Sequence, residues 1–133
     1  MIFIDTSFYI AVLSPRDKLH KRALMLSATI LPEDSQAITS YGVLGEVLTV
    51  GSMRYNRQAA IDFVMSILDS KIKIILEDQK LLEAALAVFK KIKDKDVGWI
   101  DCYSFAIIDE YKIETALSFD KDFKHYAKAK VLA

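Results

Sequence analysis

The chain is poor in the residues that build disulfides and soft-metal sites. Its 133 residues include a single cysteine, Cys102, and two histidines, His20 and His125. One cysteine excludes an internal disulfide and a cysteine-based zinc site, and it fits a reducing compartment. The two histidines are too few and too isolated for a histidine-rich metal centre. Any metal site must therefore be built from oxygen ligands.

The chain also lacks an excess of charge of one sign. Lysine and arginine together number 18, as do aspartate and glutamate, so the formal net charge is zero. No global basic field draws the protein onto nucleic acid, and any such partner must be held by local patches. The candidate basic residues are Arg16, Lys18, Lys21, Arg22, Arg54, Arg57, Lys121 and Lys124. A solvated helix face explains most of them equally well.

Long apolar runs are absent too. No stretch approaches the ~18 residues that a membrane span needs, and no secretory signal pattern is present. We therefore expect a cytoplasmic protein with no membrane partner. Hydrophobic residues still make up 53% of the chain, which predicts that part of the apolar surface is covered in an oligomer.

Short apolar runs alternate with helical patterns along the chain. The run 1–4 stops at Asp5 before a second apolar stretch, which predicts a strand, a turn and a helix. Further strands are predicted at 37–39, 72–76, 115–118 and 130–132. Further helices are predicted from Asp17 to about Ile30, over 41–51, from Asn56 to Leu68, from Asp78 to about Ile92 and over 99–111, with a turn at 32–36. This alternation predicts one domain spanning residues 1–133, a three-layer α/β/α sandwich around a parallel sheet of four to five strands.

Four acidic residues stand beside apolar segments, where a charge is costly. Asp5 ends the first predicted strand, Asp120 follows the fourth, and Asp101 lies in the first turn of a helix. Each of these has a simple alternative role as a helix cap or a partner of the helix dipole. Glu46 is harder to dismiss because Val43, Val47, Leu48 and Val50 leave little polar face around it.

The four acids carry more weight together than singly. Adjacent central strands would bring Asp5 and Asp120 close to each other at the carboxyl edge of the sheet. Two carboxylates ~4 Å apart repel by about 4 kcal/mol at an effective dielectric of about 20. A divalent cation reverses that sign, and ligands that are all oxygen favour Mg²⁺ or Mn²⁺.

The order of these motifs resembles that of the PIN-domain ribonucleases, most closely the small VapC-type toxins. The resemblance rests on Asp5-Thr6-Ser7, on Glu46 after a short strand, on Trp99-Ile100-Asp101 and on the segment 117–123. It implies that Asp5, Glu46, Asp101 and Asp120 hold one or two Mg²⁺ or Mn²⁺ ions that serve RNA cleavage. Supporting roles fall to Thr6 or Ser7 as hydrogen-bond partners of Asp5, to Ser118, and to Asp122 as a weaker candidate ligand.

The resemblance also implies partners: an RNA substrate, an antitoxin protein that shields the site, and a second copy of the chain in a homodimer. A catalytically silent PIN-like domain that binds RNA or protein is the alternative, with the acids retained as caps. Two other acidic classes fit less well. A haloacid-dehalogenase-like phosphatase needs a second aspartate where Ser7 stands, and a phospho-receiver domain needs its acceptor aspartate on a central strand midway along the chain.

Overall fold

The computed structural model describes residues 1–31 and 36–133, so the predicted turn at 32–36 lies almost wholly outside it. The described strands are β1 (Ile2–Ile4), β2 (Ala37–Ser40), β3 (Lys73–Ile75), β4 (Thr115–Leu117) and β5 (Lys130–Leu132). The described helices are α1 (Thr6–Leu13), α2 (His20–Ile30), α3 (Tyr41–Arg54), α4 (Arg57–Leu68), α5 (Gln79–Lys91), α6 (Trp99–Glu110) and α7 (Lys121–Tyr126). None of these helices is long and apolar enough to cross a membrane.

The five strands form one parallel sheet in the order β3-β2-β1-β4-β5. This confirms the predicted α/β architecture, including the short fifth strand. The central strand β1 is apolar throughout, and its residues Phe3 and Ile4 are fully buried, as expected for a strand covered on both faces. Most contacts between helices lie within α1–α4 or within α5–α7, and α3 also contacts α6. This grouping agrees with right-handed crossovers that run in opposite directions from the centre of the sheet.

The order in which strands are added to the sheet reverses between β1 and β4, and a crevice lies at this position. From β1 the chain moves outward to β2 and β3, and from β4 it moves outward to β5 on the other side. Ile4 is paired with Leu117, so Asp5 and Ser118 follow side by side at the carboxyl edge. In open parallel sheets such a switch point is where ligands bind.

Aromatic packing fixes the segment that follows β4. Phe123 of α7 is fully buried, stacks on Phe3 at a centroid distance of 6.4 Å and meets Phe105 edge to face at 4.9 Å. Short helices have little stability of their own, so this packing is what holds α7 in place. The helix begins directly after Asp120, whose position is therefore tied to the core.

Two local predictions need correction. The helix predicted from Asp17 begins at His20 instead, because Asp17 closes a turn: its N–H donates to Ser14 O, and its carboxylate accepts from Leu19 N. The six-residue helix α7 was not predicted, since its aspartates read equally well as turn residues. The lone cysteine, Cys102, is free and fully buried in the core.

Candidate functional site

Asp5 is held rigidly at the start of α1. The residue is 2% exposed, and its Oδ2 accepts hydrogen bonds from Ser7 N (3.2 Å), Ser7 Oγ (2.7 Å) and Ser118 Oγ (2.8 Å). The predicted bond from Ser7 is thus present. Burial nevertheless raises the pKa of Asp5 from 3.8 to about 6, because desolvation outweighs the hydrogen bonds that favour the charged form.

Thr6 serves a different acid. Thr6 Oγ1 donates a hydrogen bond to Glu46 Oε1 at 2.7 Å. The Thr6 hydroxyl was considered as a partner of Asp5, and it binds Glu46 instead. Glu46 lies on α3, whose N-terminus packs closely against α6. A Cβ built on Gly42 would come within 2.8 Å of Ile100 Cδ1, and the absence of a side chain there lets the two helices approach each other.

The charges of the other three acids act on Asp101. Its Oδ2 accepts from Gly98 N at 3.2 Å, which closes the first turn of α6. Burial, followed by the charges of Asp5, Asp120 and Glu46, raises the pKa of Asp101 from 3.8 to about 7, although the Gly98 bond acts in the opposite direction. Burial is the largest cause of this shift, and the contribution of the neighbouring carboxylates shows that negative charge is concentrated here.

Asp120 and Asp122 lie on the other side of Asp101. Asp120 Oδ1 caps α7 by accepting from Asp122 N at 2.9 Å, and Asp120 N donates to Ser118 Oγ at 3.0 Å. Asp101, Asp120 and Asp122 each offer an oxygen, and these oxygens all lie within 4.8 Å of one another. Asp122 is buried, and desolvation and the charge of Asp120 raise its pKa.

All four predicted acids line one cleft with a volume of about 310 Å³. Thr6 and Ser7 line it as well, whereas Ser118 lies behind Asp5 and is fully buried. Two further charged residues, Asp17 and Arg54, complete the charged lining. No sequence pattern pointed to Asp17 as a site residue, and it reaches the cleft through the turn before α2. Arg54 was a candidate for RNA contact and lies eight residues after Glu46, but the predicted helix covered only 41–51 and so did not place the two residues on one helix face.

The donor set of this cleft suits a hard divalent cation. The acids supply only carboxylate oxygens, and the group of three oxygens around Asp101 matches the spacing that a single ion can span. Burial raises the pKa of Asp5, and burial together with neighbouring carboxylates raises the pKa of Asp101. A bound cation would compensate the negative charge of such carboxylates.

The comparison with known families agrees with this geometry. The family model of the PIN domain matches residues 2–129. The chain therefore belongs to the PIN domain family, and the resemblance seen in its motifs is confirmed.

Individual proteins of known name or structure are similar to this chain over most of its length. The 23S rRNA-specific endonuclease VapC20 of Mycobacterium tuberculosis (strain ATCC 25618 / H37Rv) is 31% identical over 123 residues, which is 92% of each protein. The crystal structure of M. tuberculosis VapC20, described as a sarcin–ricin loop cleaving toxin, matches with a TM-score of 0.86 at 29% identity and covers 94% of each chain. A toxin–antitoxin complex from Klebsiella pneumoniae matches with a TM-score of 0.67 at 22% identity, covering 100% of this chain and 97% of that one, and supports the fold alone.

Proposed function

We propose that this chain is a metal-dependent endoribonuclease that acts as the toxin of a toxin–antitoxin pair. The observation that carries the proposal is the convergence of Asp5, Glu46, Asp101 and Asp120, from four separate parts of the chain, on one cleft at the switch point of the sheet. Membership of the PIN domain family and the similarity to a named endonuclease support the same class.

Asp5, Asp101 and Asp120 would hold Mg²⁺ or Mn²⁺, with Glu46 and Asp122 as supporting ligands. When bound, such an ion lowers the pKa of a water molecule toward neutrality and neutralises charge on a phosphodiester under attack. The chain itself orients the acids. Ser7 and Ser118 fix the Asp5 carboxylate, and Thr6 fixes Glu46. These bonds keep crowded carboxylates in place before any ligand arrives, as preorganisation requires.

Cation binding at this cleft would be accompanied by proton release. Burial and the neighbouring carboxylates raise the pKa of Asp101 to about 7, which favours its protonated form near neutral pH. That proton must leave before both oxygens of the side chain can serve as ligands, so cation affinity should rise with pH through this range. The same carboxylates leave no need for a histidine base, and none of the described residues that line the cleft is a histidine.

Structured ribosomal RNA is the substrate class that we propose to test first. The relative that is 31% identical is named for 23S rRNA, and the solved structure of VapC20 is described as cleaving the sarcin–ricin loop. For this chain the target loop and its sequence preference are to be found by experiment. An RNA substrate implies that the protein acts in the cytoplasm.

A catalytically silent binding module is the second candidate, and one observation favours it. Asp5, Asp101 and Asp120 each accept a backbone N–H at the start of a helix, which is a sufficient structural use for an aspartate. Such a protein would bind RNA or a partner protein without cutting it.

The deciding experiment incubates the purified chain with a labelled sarcin–ricin stem-loop and a panel of single-stranded RNAs, in Mg²⁺, Mn²⁺ or EDTA. Asp101→Asn is the test variant, and Asp96→Asn, an exposed aspartate in the preceding loop, is the matched control. We expect cleavage that needs a divalent ion, is lost in Asp101→Asn and is retained in Asp96→Asn. Absence of cleavage by a folded parent chain in every condition would favour the silent module.

An antitoxin and a homodimer are the protein partners that we propose. Exposed large apolar side chains offer surface for both, including Tyr41 at 62%, Met53 at 81% and Leu76 at 68% exposure. Light scattering of the purified chain tests the dimer: a mass twice that of the 15.1 kDa chain is expected. Co-expression with the adjacent reading frame, followed by purification, tests the antitoxin.

A further inference from the structure

Arg54 stands out in a cleft that is otherwise strongly acidic. Among the described residues that line the cleft, five are acidic and one, Arg54, is basic. Its side chain is exposed, and within the described part of the chain no carboxylate lies at ion-pair distance from it. A cation beside five acids that it does not pair with is available for an anion from outside.

The position of Arg54 is fixed by packing at the end of α3. A Cβ on Gly51 would lie 2.7 Å from Leu13 Cδ2 and 3.3 Å from Ala60 Cβ, so α1 and α4 both press against the helix at this glycine. The Gly51 carbonyl accepts from Tyr55 N and Asn56 N at 3.0 and 3.1 Å, and the helix ends at Arg54. The arginine therefore projects from a backbone that is anchored on two sides.

Helix geometry sets the distance between Arg54 and the acids. Glu46, Val50 and Arg54 are spaced at intervals of four along α3, and all three line the cleft. Eight residues of helix correspond to a rise of about 12 Å. Phosphates along one strand of a DNA duplex recur about every 3.4 Å of axis. A phosphate that meets Arg54 therefore belongs to a nucleotide close to the one at the acids.

We propose that Arg54 binds a backbone phosphate of the RNA next to the cleaved bond and so positions the strand in the acidic cleft. This inference rests on the proposed nuclease function. A chain with no net charge has no global field to hold RNA, so a cation that lines the cleft adds a local attraction for phosphate beside the acids. The planar guanidinium suits this role because it donates to phosphate oxygens in pairs.

The predicted kinetic signature is a change in binding with little change in the chemical step. Arg54→Gln should raise KM about fivefold to tenfold while kcat stays within about twofold of the parent, because the contact is made equally before and during the reaction. In a plot of the logarithm of the association constant against the logarithm of the salt concentration, the magnitude of the slope should fall by about 0.7. This is the value for one phosphate contact to a single strand, about 0.7. Arg54→Lys should restore the salt slope because it keeps the charge.

Arg57→Gln is the matched control, since Arg57 is exposed, lies three residues further along and does not line the cleft. A second measurement follows anisotropy of a fluorescein-labelled single-stranded RNA on the Asp101→Asn chain in Mg²⁺, with and without Arg54→Gln. Weaker binding and a smaller salt slope support the proposal. A KM and slope equal to those of Arg57→Gln would overturn it, even if Arg54→Gln melted earlier through loss of a favourable charge at the helix end. A parent chain that cleaves no RNA would overturn the proposed function, while the anisotropy arm would still decide the role of Arg54.

Discussion

Replacing Asp5 by asparagine should stabilise the metal-free protein, and increasingly so as pH rises. The reason is that the Asp5 carboxylate is 2% exposed, so its ionisation lowers the free energy of unfolding. Asparagine keeps an oxygen that can accept the bonds from Ser7 and Ser118, but it carries no charge. The variant therefore resembles the protonated parent, and the two should differ most where the parent is ionised.

The sign and size follow from the pKa of Asp5. Its folded value is raised from 3.8 to about 6, so between these pH values the folded state binds more protons than the unfolded state. The stability of the parent consequently falls as pH rises through this window, and the full cost is present above about pH 6. A shift of roughly two units corresponds to about 3 kcal/mol. The stability difference between Asp5→Asn and parent should therefore grow by about 3 kcal/mol from about pH 4 to about pH 8.

Urea unfolding in EDTA across this pH range measures the difference directly. Comparing variant with parent at each pH removes contributions from groups that the substitution does not affect. Asp96→Asn is the control, and its difference from parent should stay nearly constant with pH. A pH-independent difference for Asp5→Asn would refute the reasoning, because the carboxylate would then lose no solvation on folding. Saturating Mn²⁺ should stabilise the parent and leave the variant nearly unchanged.

Two further predictions concern the supports of the site. Gly45→Ala should stabilise the protein by about 0.5–1 kcal/mol in thermal or urea unfolding, because no described atom lies within 4 Å of the added methyl and alanine favours helix. Gly51→Ala in the same helix should instead cost about 1–3 kcal/mol, since its methyl meets Leu13 and Ala60; equal effects of the two changes would contradict this packing. Ser118→Ala should cost about 1–3 kcal/mol and weaken Mn²⁺ binding in calorimetry, because Asp5 loses a hydrogen bond of 2.8 Å that favours its charged form; unchanged Mn²⁺ affinity would count against the supporting role of Ser118.

The sequence was most informative where one local pattern has one structural meaning. The apolar run that stops at Asp5 predicts a buried strand followed by a turn, and the pairing of β1 with β4 then brings Asp5 and Ser118 together. The same reasoning placed Asp120 nearby. Helix ends were less well predicted, because Asp17 caps a turn as readily as a helix and only the hydrogen bond from Leu19 N decides between them.

The residues that sequence reasoning could not place depend on contacts between distant elements. Arg54 enters the cleft because Gly51 lets α3 press against Leu13 and Ala60. No spacing along the chain encodes that approach. The different partners of Thr6 and Ser7 could not be predicted for the same reason. The Ser7 hydroxyl binds Asp5, whereas the Thr6 hydroxyl binds Glu46 because α3 packs beside α1.

The pKa of Asp101 separates the two uses of these carboxylates. A hydrogen bond from a helix N-terminus stabilises the charged form and lowers the pKa of the capping acid, and the Gly98 N–H acts on Asp101 in that direction. Burial acts in the opposite direction, and it raises the pKa of Asp5, which also caps a helix, to about 6. The pKa of Asp101 is raised to about 7, first by burial and then by the charges of Asp5, Asp120 and Glu46, so the neighbouring carboxylates add to what burial alone produces. Capping needs one acid at each helix start and gives no reason for these acids to converge, whereas a cation needs that convergence.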